Sequence, residues 1–229
     1  MNNDLGQNLT KLRGRIAEVC AQYNHRPDDI TIVAVTKRWP ESTIQAAIAL
    51  GLHDIGESRI QEAEPKITSL GPIARFHLIG RLQSNKVRKA VGLFDVIQSV
   101  DSFKLAEEIS RRAGEIGRIV DCLIEVNSSG EASKSGVTPL ETLELIRQTQ
   151  GLPSIRLIGL MTVGPLTDDL KQVRAAFRTS RELFEQGRDI VGDQFHTLSM
   201  GMTDDFAEAI AEGSTMIRIG TGLFGSRPE

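Results

Sequence analysis

The sequence predicts an α/β fold of eight strand–helix units closed into one (β/α)8 barrel, preceded by an additional N-terminal helix. Three observations lead there. Eight short apolar, β-branched stretches alternate with helix-compatible stretches along the chain. No Pro/Gly/Ser linker, low-complexity run or short-period repeat divides it, so residues 1–229 read as a single domain. Parallel strands need helical crossovers, and eight of them close a sheet with no exposed edge, the TIM-type barrel. A doubly wound open sheet is the runner-up, because strand order cannot be read from sequence.

The opening helix, about residues 3–24, carries Leu5, Leu9, Leu12, Ile16, Val19 and Cys20 at helical spacing. Strands are then expected at Ile30–Thr36, Leu52–Gly56, Arg75–Gly80, Asp95–Val100, Ile119–Val126, Ile155–Met161, Phe195–Met200 and Thr215–Ile219. Between them, Asp101 is placed to cap a helix that Gly114 ends, with Phe103, Ala106, Ile109 and Ala113 as its apolar positions. Thr138, Pro139 and Glu141 form a capping box with proline at the first helical position, and Gly151 with Pro153 marks that helix's end. A long helix from about Thr167 to Gln186 aligns Leu170, Val173, Phe177 and Phe184 on one stripe.

Composition narrows the function. Apolar residues at 40% supply a sizeable core, and charged residues at 25% fit an ordinary globular protein. A net charge of -3 with interspersed signs leaves no electrostatic footprint for nucleic acid or membrane. Cys20 and Cys122 have neither metal nor redox spacing. The start, Met1 to Gly6, lacks a signal-peptide layout and no apolar run reaches membrane length, so a cytoplasmic protein is expected.

Polar and glycine-rich words cluster where strands end, which in a barrel is the face that holds ligands. Lys37 follows the first strand and a helix opens just after it. Such a lysine loses solvation and can act as a nucleophilic amine. Alternation puts Thr31, Val33, Val35 and Lys37 on one face, and Met216, Arg218 and Gly220 on one face of the last strand. First and eighth strands are neighbours in a closed barrel, so inward faces bring Lys37 and Arg218 together near the top of the core. That arrangement depresses the lysine from its free pKa of roughly 10.4 and calls for an anion. A solvated lysine just beyond a strand is the plainer alternative, and these residues alone leave both standing.

Gly220 to Gly225 matches the dinucleotide glycine fingerprint, but only four residues follow, with no long helix or acidic ribose ligand. A turn of bare amides with the Thr221 hydroxyl, binding one phosphate, is the better reading, with Ser199 to Gly201 on the preceding loop adding donors. The four histidines, His25, His53, His77 and His196, show no metal spacing and read as surface or hydrogen-bonded structural residues. Asp204 and Asp205 favour a helix start, and Arg81, Lys86, Arg88 and Lys89 a solvated one. Lys134 lies on a loop of the active face, where a second amine could exchange with a carbonyl ligand, although a mobile surface lysine is the simpler reading.

A strand-end lysine with a phosphate cup on the last two strands suits pyridoxal 5'-phosphate. At these positions the chain resembles the pyridoxal phosphate homeostasis proteins. The matching words are Ala34 to Lys37, Gly56-Glu57 with Gln61-Glu62, Leu78 to Gly80 with Leu82 to Lys86, Ser133 to Gly136, Gly159 to Met161, Leu198 to Met202 and Ile217 to Thr221. The resemblance implies a barrel similar to the N-terminal domain of alanine racemases, with the cofactor as an internal aldimine on Lys37. It further implies that Ser199, Gly201, Gly220 and Thr221 hold phosphate and that Arg218 faces the pyridine nitrogen. The family usually has asparagine after Gly-Glu; Ser58 stands there instead, implying altered affinity. A non-enzymatic protein of vitamin B6 balance is implied, with apo-forms of pyridoxal phosphate enzymes as recipients. The alternative is a weak amino-acid racemase, against which stands the lack of a second base: the sole tyrosine, Tyr23, is in the opening helix. A monomer is expected, since a closed barrel buries its own core.

Overall fold

A computed structural model describes residues 2–131 and 134–226. Eight parallel strands close into a barrel in chain order: β1 (Thr31–Val35), β2 (Asp54–Glu57), β3 (Arg75–Leu78), β4 (Val96–Val100), β5 (Val120–Val126), β6 (Ile155–Thr162), β7 (Thr197–Ser199) and β8 (Met216–Ile219). β8 pairs back onto β1, with Thr31 beside Met216 and Val33 beside Arg218. The barrel and each expected strand are therefore found, most of them trimmed by a residue or two.

The helices are α1 (Asn2–Gln22), α2 (Glu41–Ala49), α3 (Ile60–Leu70), α4 (Val87–Leu93), α5 (Phe103–Glu115), α6 (Pro139–Thr149), α7 (Leu170–Val191), α8 (Phe206–Ala211) and α9 (Thr221–Phe224). α1 buries Leu5, Leu9, Leu12, Ile16 and Cys20, at about 2 kcal/mol for each large aliphatic chain. It packs on α8 and α9, where Asn8 donates to the Leu223 carbonyl at 3.0 Å.

Helix punctuation departs from expectation in three places. Ser102, not Asp101, caps α5, its hydroxyl accepting from Leu105 N, and the chain turns left-handed at Gly117 rather than stopping at Gly114. A serine oxygen on the residue adjoining the helix reaches the first free amides more directly than a carboxylate one position earlier. The Thr138 hydroxyl donates to the Glu141 carboxylate at 2.6 Å instead of capping a backbone amide. α7 starts three residues later than expected because Asp169 caps it, leaving Leu170 exposed while Val173, Phe177 and Phe184 are buried.

The barrel interior is divided. One side is apolar, with Val96, Leu123, Ile158 and Met161 packed together. The other carries Asp54, His77, Gln98, Ser199 and Arg218, an unusual content for a layer that Val, Ile and Leu normally fill. Closure between β6 and β7 requires Gly159, because a Cβ there would lie 1.7 Å from the Thr197 carbonyl oxygen.

Candidate functional site

The polar side of the interior is one directed hydrogen-bond chain. Arg218 Nη1 donates to Ser199 Oγ at 2.7 Å, and Ser199 Oγ donates to Gln98 Oε1 at 2.7 Å. Gln98 Nε2 then faces His77 Nδ1 at 2.9 Å, and His77 Nε2 meets Asp54 Oδ1 at 2.8 Å. With Nδ1 accepting, the imidazole is neutral and its hydrogen points at Asp54. Burial holds the His77 pKa down, which agrees with that assignment.

Arg218 is 4% exposed. Besides the serine hydroxyl, it donates to the Ser199 carbonyl at 2.9 Å and to the Thr162 carbonyl at 2.8 Å. Its pKa falls to about 10 through desolvation, partly offset by Asp205 and Glu125, so it is a buried cation at neutral pH. Neutral oxygens hold it in place, and its charge is complemented only from a distance.

Lys37 is partly buried, two residues past β1, in a turn closed by Trp39 N donating to the Thr36 carbonyl at 3.0 Å. Arg38 sits at φ +65°, the left-handed region that costs a side-chain-bearing residue about 1 kcal/mol or more. A buried ionic cluster lies behind this turn. Lys66 Nζ reaches Glu57 Oε1 at 2.8 Å, Glu62 Oε1 at 2.9 Å and the Thr36 carbonyl at 3.1 Å. Thr36 Oγ1 donates to Glu57 Oε1 at 2.7 Å, and the Arg38 amide donates to Glu62. Burial pushes the Glu57 carboxyl up against the pull of Lys66, and its Oε2 has no partner among the described residues.

The residues expected to hold phosphate lie on loops beside this turn. A Cβ on Gly220 would stand 3.7 Å from Val35, so the last turn abuts the end of β1. Trp39 and Phe224 rings meet at 5.7 Å and tie the two loops together. Gly201 is left-handed at φ +95°, and a Cβ would come within 2.6 Å of Ala209. Thr203 Oγ1 accepts from Gly222 N and from Thr221 Oγ1, each at 3.2 Å. Ser199 has a different environment from the one expected: its hydroxyl is engaged by Gln98 and Arg218 inside the barrel.

Glu125, at the mouth end of β5, is 8% exposed. Desolvation, reinforced by Asp101 and opposed by Arg218 and Arg81, pushes its carboxyl up to about 7. Lys134 folds over the β6 to α7 loop, donating to the Gly164 carbonyl at 2.6 Å and pairing with Glu131 at 3.1 Å. Ser133 lies outside the described residues. The Ser58 carbonyl lies where a Cβ on Gly80 would be, 2.2 Å away, so this pair of loops packs backbone to backbone. Tyr23 is on the outer ring, stacked with Arg174 at 5.4 Å. Among the described residues no cluster of His, Cys, Asp or Glu could hold a metal, and no helix is long and apolar enough to cross a membrane. A cavity of about 1170 Å³ opens at the opposite, N-terminal face of the barrel, but its Arg75 and Arg156 both pair with Asp121, and Arg118 pairs with Asp95.

Glu57, Glu62, Lys66, Gln98 and Glu125 went unassigned at the sequence level. Gln98 and Glu125 had a signal there, a polar residue inside an otherwise apolar strand. Lys66 had only its i,i+4 spacing from Glu62, and such a pair on an amphipathic helix ordinarily faces water.

Residues 8–228 match the family model of the alanine racemase N-terminal domain. The chain is 39% identical over 228 residues to the pyridoxal phosphate homeostasis protein of Haemophilus influenzae, covering 98% of this chain and 96% of that one. The PipY protein of Synechococcus elongatus, solved with PLP bound, superposes with a TM-score of 0.83 at 35% identity, covering 96% of this chain and 100% of PipY. An alanine racemase of Clostridium difficile shares the fold alone, with a TM-score of 0.80 at 17% identity over 99% of this chain and 60% of its own. With a barrel of this architecture and near full-length identity well above 30%, the chain belongs to the family of pyridoxal phosphate homeostasis proteins, built on the alanine racemase N-terminal domain.

Proposed function

We propose that this chain binds pyridoxal 5'-phosphate covalently through Lys37 and acts as a non-enzymatic cytoplasmic carrier that buffers the cofactor and releases it to apo-enzymes. The observation that carries this reading is that the turn bearing the partly buried Lys37 adjoins, across the β1–β8 seam, the strand of the buried cation Arg218 and the glycine turn that follows it. The residues fit the group. Gly201 turns left-handed where α8 packs against its backbone, which keeps that loop free of a side chain, and among the described residues Arg218 is a desolvated cation hydrogen-bonded to neutral oxygens.

When bound, the cofactor supplies an aldehyde that condenses with a primary amine. Lys37 is the amine. Gly201, Gly220 and Thr221 offer backbone and hydroxyl donors to the phosphate, while Ser199 serves from beneath by fixing Arg218. Arg218 would offer a hydrogen-bond donor to the pyridine nitrogen. It thereby disfavours a proton on the ring and weakens carbanion chemistry, as a carrier requires. No tyrosine approaches the mouth as a second base, since Tyr23 is held by Arg174 on the outer ring. A closed single barrel with its own core supports a monomer.

The test is the visible absorption of the purified protein with the cofactor, followed by borohydride reduction and peptide mass spectrometry. A yellow band fixed as an adduct on Lys37, absent in Lys37→Ala, is expected. A protein that stays colourless with excess cofactor overturns the reading.

A further inference from the structure

Lys37 is flanked by two backbone groups that the same buried cluster holds. The carbonyl before it, on Thr36, accepts from Lys66 at 3.1 Å. The amide after it, on Arg38, donates to Glu62, and Glu62 is itself bridged to Lys66 at 2.9 Å. Glu57 completes the array, joined to Lys66 at 2.8 Å and to the Thr36 hydroxyl at 2.7 Å. These carboxylates come from the end of β2 and the first turn of α3, so two separate elements grip the turn between β1 and α2.

A lysine in a helix interior that is 8% exposed is costly to bury, and it persists only where its contacts over-determine it. Here its contacts converge on a turn that is itself unfavourable, with Arg38 left-handed at φ +65°. Released, Arg38 would relax to negative φ and the peptide planes on either side of Lys37 would rotate. A four-carbon side chain carries that rotation to its tip and re-aims the amine.

We infer that Lys66, acting with Glu57 and Glu62, is a positioning residue that aims the Lys37 amine into the barrel mouth by clamping the backbone on both sides of it. This rests on the proposed role of Lys37 as the amine that captures the cofactor. The clamp touches neither the phosphate turn nor Arg218, so it governs capture of the aldehyde and leaves recognition of phosphate and ring alone.

Two ligands separate those contributions: pyridoxal 5'-phosphate, followed by the rate at which its visible band appears, and 4-deoxypyridoxine 5'-phosphate, which lacks the aldehyde. In Glu62→Gln and Lys66→Met the capture rate should fall about tenfold or more, while affinity for the deoxy compound stays within twofold. Arg38→Gly, which adopts the left-handed turn without strain, should restore most of the rate when added to Glu62→Gln. Unchanged capture in both single variants overturns the clamp, as does an equal loss for both ligands, which would mark general loosening. Where the wild type captures no cofactor, the reading of Lys37 fails. The clamp is then judged by reductive methylation with formaldehyde, scored as Lys37 against Lys171 in the same molecule. The same ratio in wild type and Glu62→Gln overturns it, and a ratio altered threefold or more sustains it.

Discussion

Replacing Glu125 by glutamine should stabilise the protein above neutral pH. The carboxyl is 8% exposed, and burial moves its pKa from 4.5 to about 7. Asp101 adds repulsion, and attraction to Arg218 and Arg81 does not make up the loss of hydration. Because the folded-state pKa is raised, the folded protein binds more protons between pH 4.5 and 7, and stability falls as pH rises through that window. Once the group is ionised the cost is about 3 kcal/mol, at roughly 1.4 kcal/mol per pK unit. Glutamine keeps the shape and has no charge to desolvate. Urea unfolding of wild type and Glu125→Gln should therefore give similar stabilities at pH 4.5, and a gain of about 2 to 3 kcal/mol for the variant at pH 8. For a chain of this size that corresponds to a Tm higher by about 5 to 10 °C. A gain that is the same at both pH values would show that ionisation costs the fold nothing, and a loss at pH 8 that the carboxylate is stabilised by its surroundings; either refutes the reasoning.

Gly159→Ala should cost about 4 kcal/mol or more and leave most of the protein insoluble, because its Cβ would collide at 1.7 Å with a backbone oxygen that sheet pairing holds in place; a soluble fraction matching wild type would contradict this. Gln98→Leu removes the acceptor for the Ser199 hydroxyl proton and the partner of His77 Nδ1, and should lower stability by about 2 to 4 kcal/mol in urea melts. Cys20 and Cys122 are buried and burial pushes both thiols up, so a colorimetric disulfide reagent should react with neither until denaturant is added.

The barrel was legible because its strands are short β-branched runs separated by helix-compatible stretches, and parity put Val33 and Arg218 on the inward faces of neighbouring strands; the register that sets Arg218 beside Val33, four residues before Lys37, came only with the fold. The word Gly56-Glu57 with Gln61-Glu62 could be matched but not explained from sequence. Glu57 meets Lys66 only once α3 folds back against the end of β2, and neither spacing nor composition carries that contact, whereas Glu62 and Lys66 are an i,i+4 pair on α3 itself. Ser199 shows the same limit in another form. Placing it near the mouth was straightforward, but its hydroxyl is committed downward by Gln98, which lies 101 residues away in the chain. Helix caps slipped by a residue or more because Asp101 and Ser102 are both good caps, and only the entry angle of the chain selects between them.

Glu125 also sharpens the choice between carrier and weak racemase. A carboxyl raised to about 7 at the barrel mouth, with Arg218 among the cations acting on it, is suited to moving a proton. Racemisation needs a proton removed on one face of the bound amino acid and returned on the other. On the proposed reading Lys37 is the base on one face, and Glu125, on β5 across the barrel from β1, is the candidate for the opposite one. Incubating the loaded protein with α-deuterated alanine then discriminates directly. A carrier should lose no deuterium beyond the rate of free cofactor. If deuterium is lost in the wild type and retained in both Lys37→Ala and Glu125→Gln, the carrier reading gives way to a racemase using that pair. Loss that survives Glu125→Gln but not Lys37→Ala would instead mark one-base exchange on a single face, without inversion.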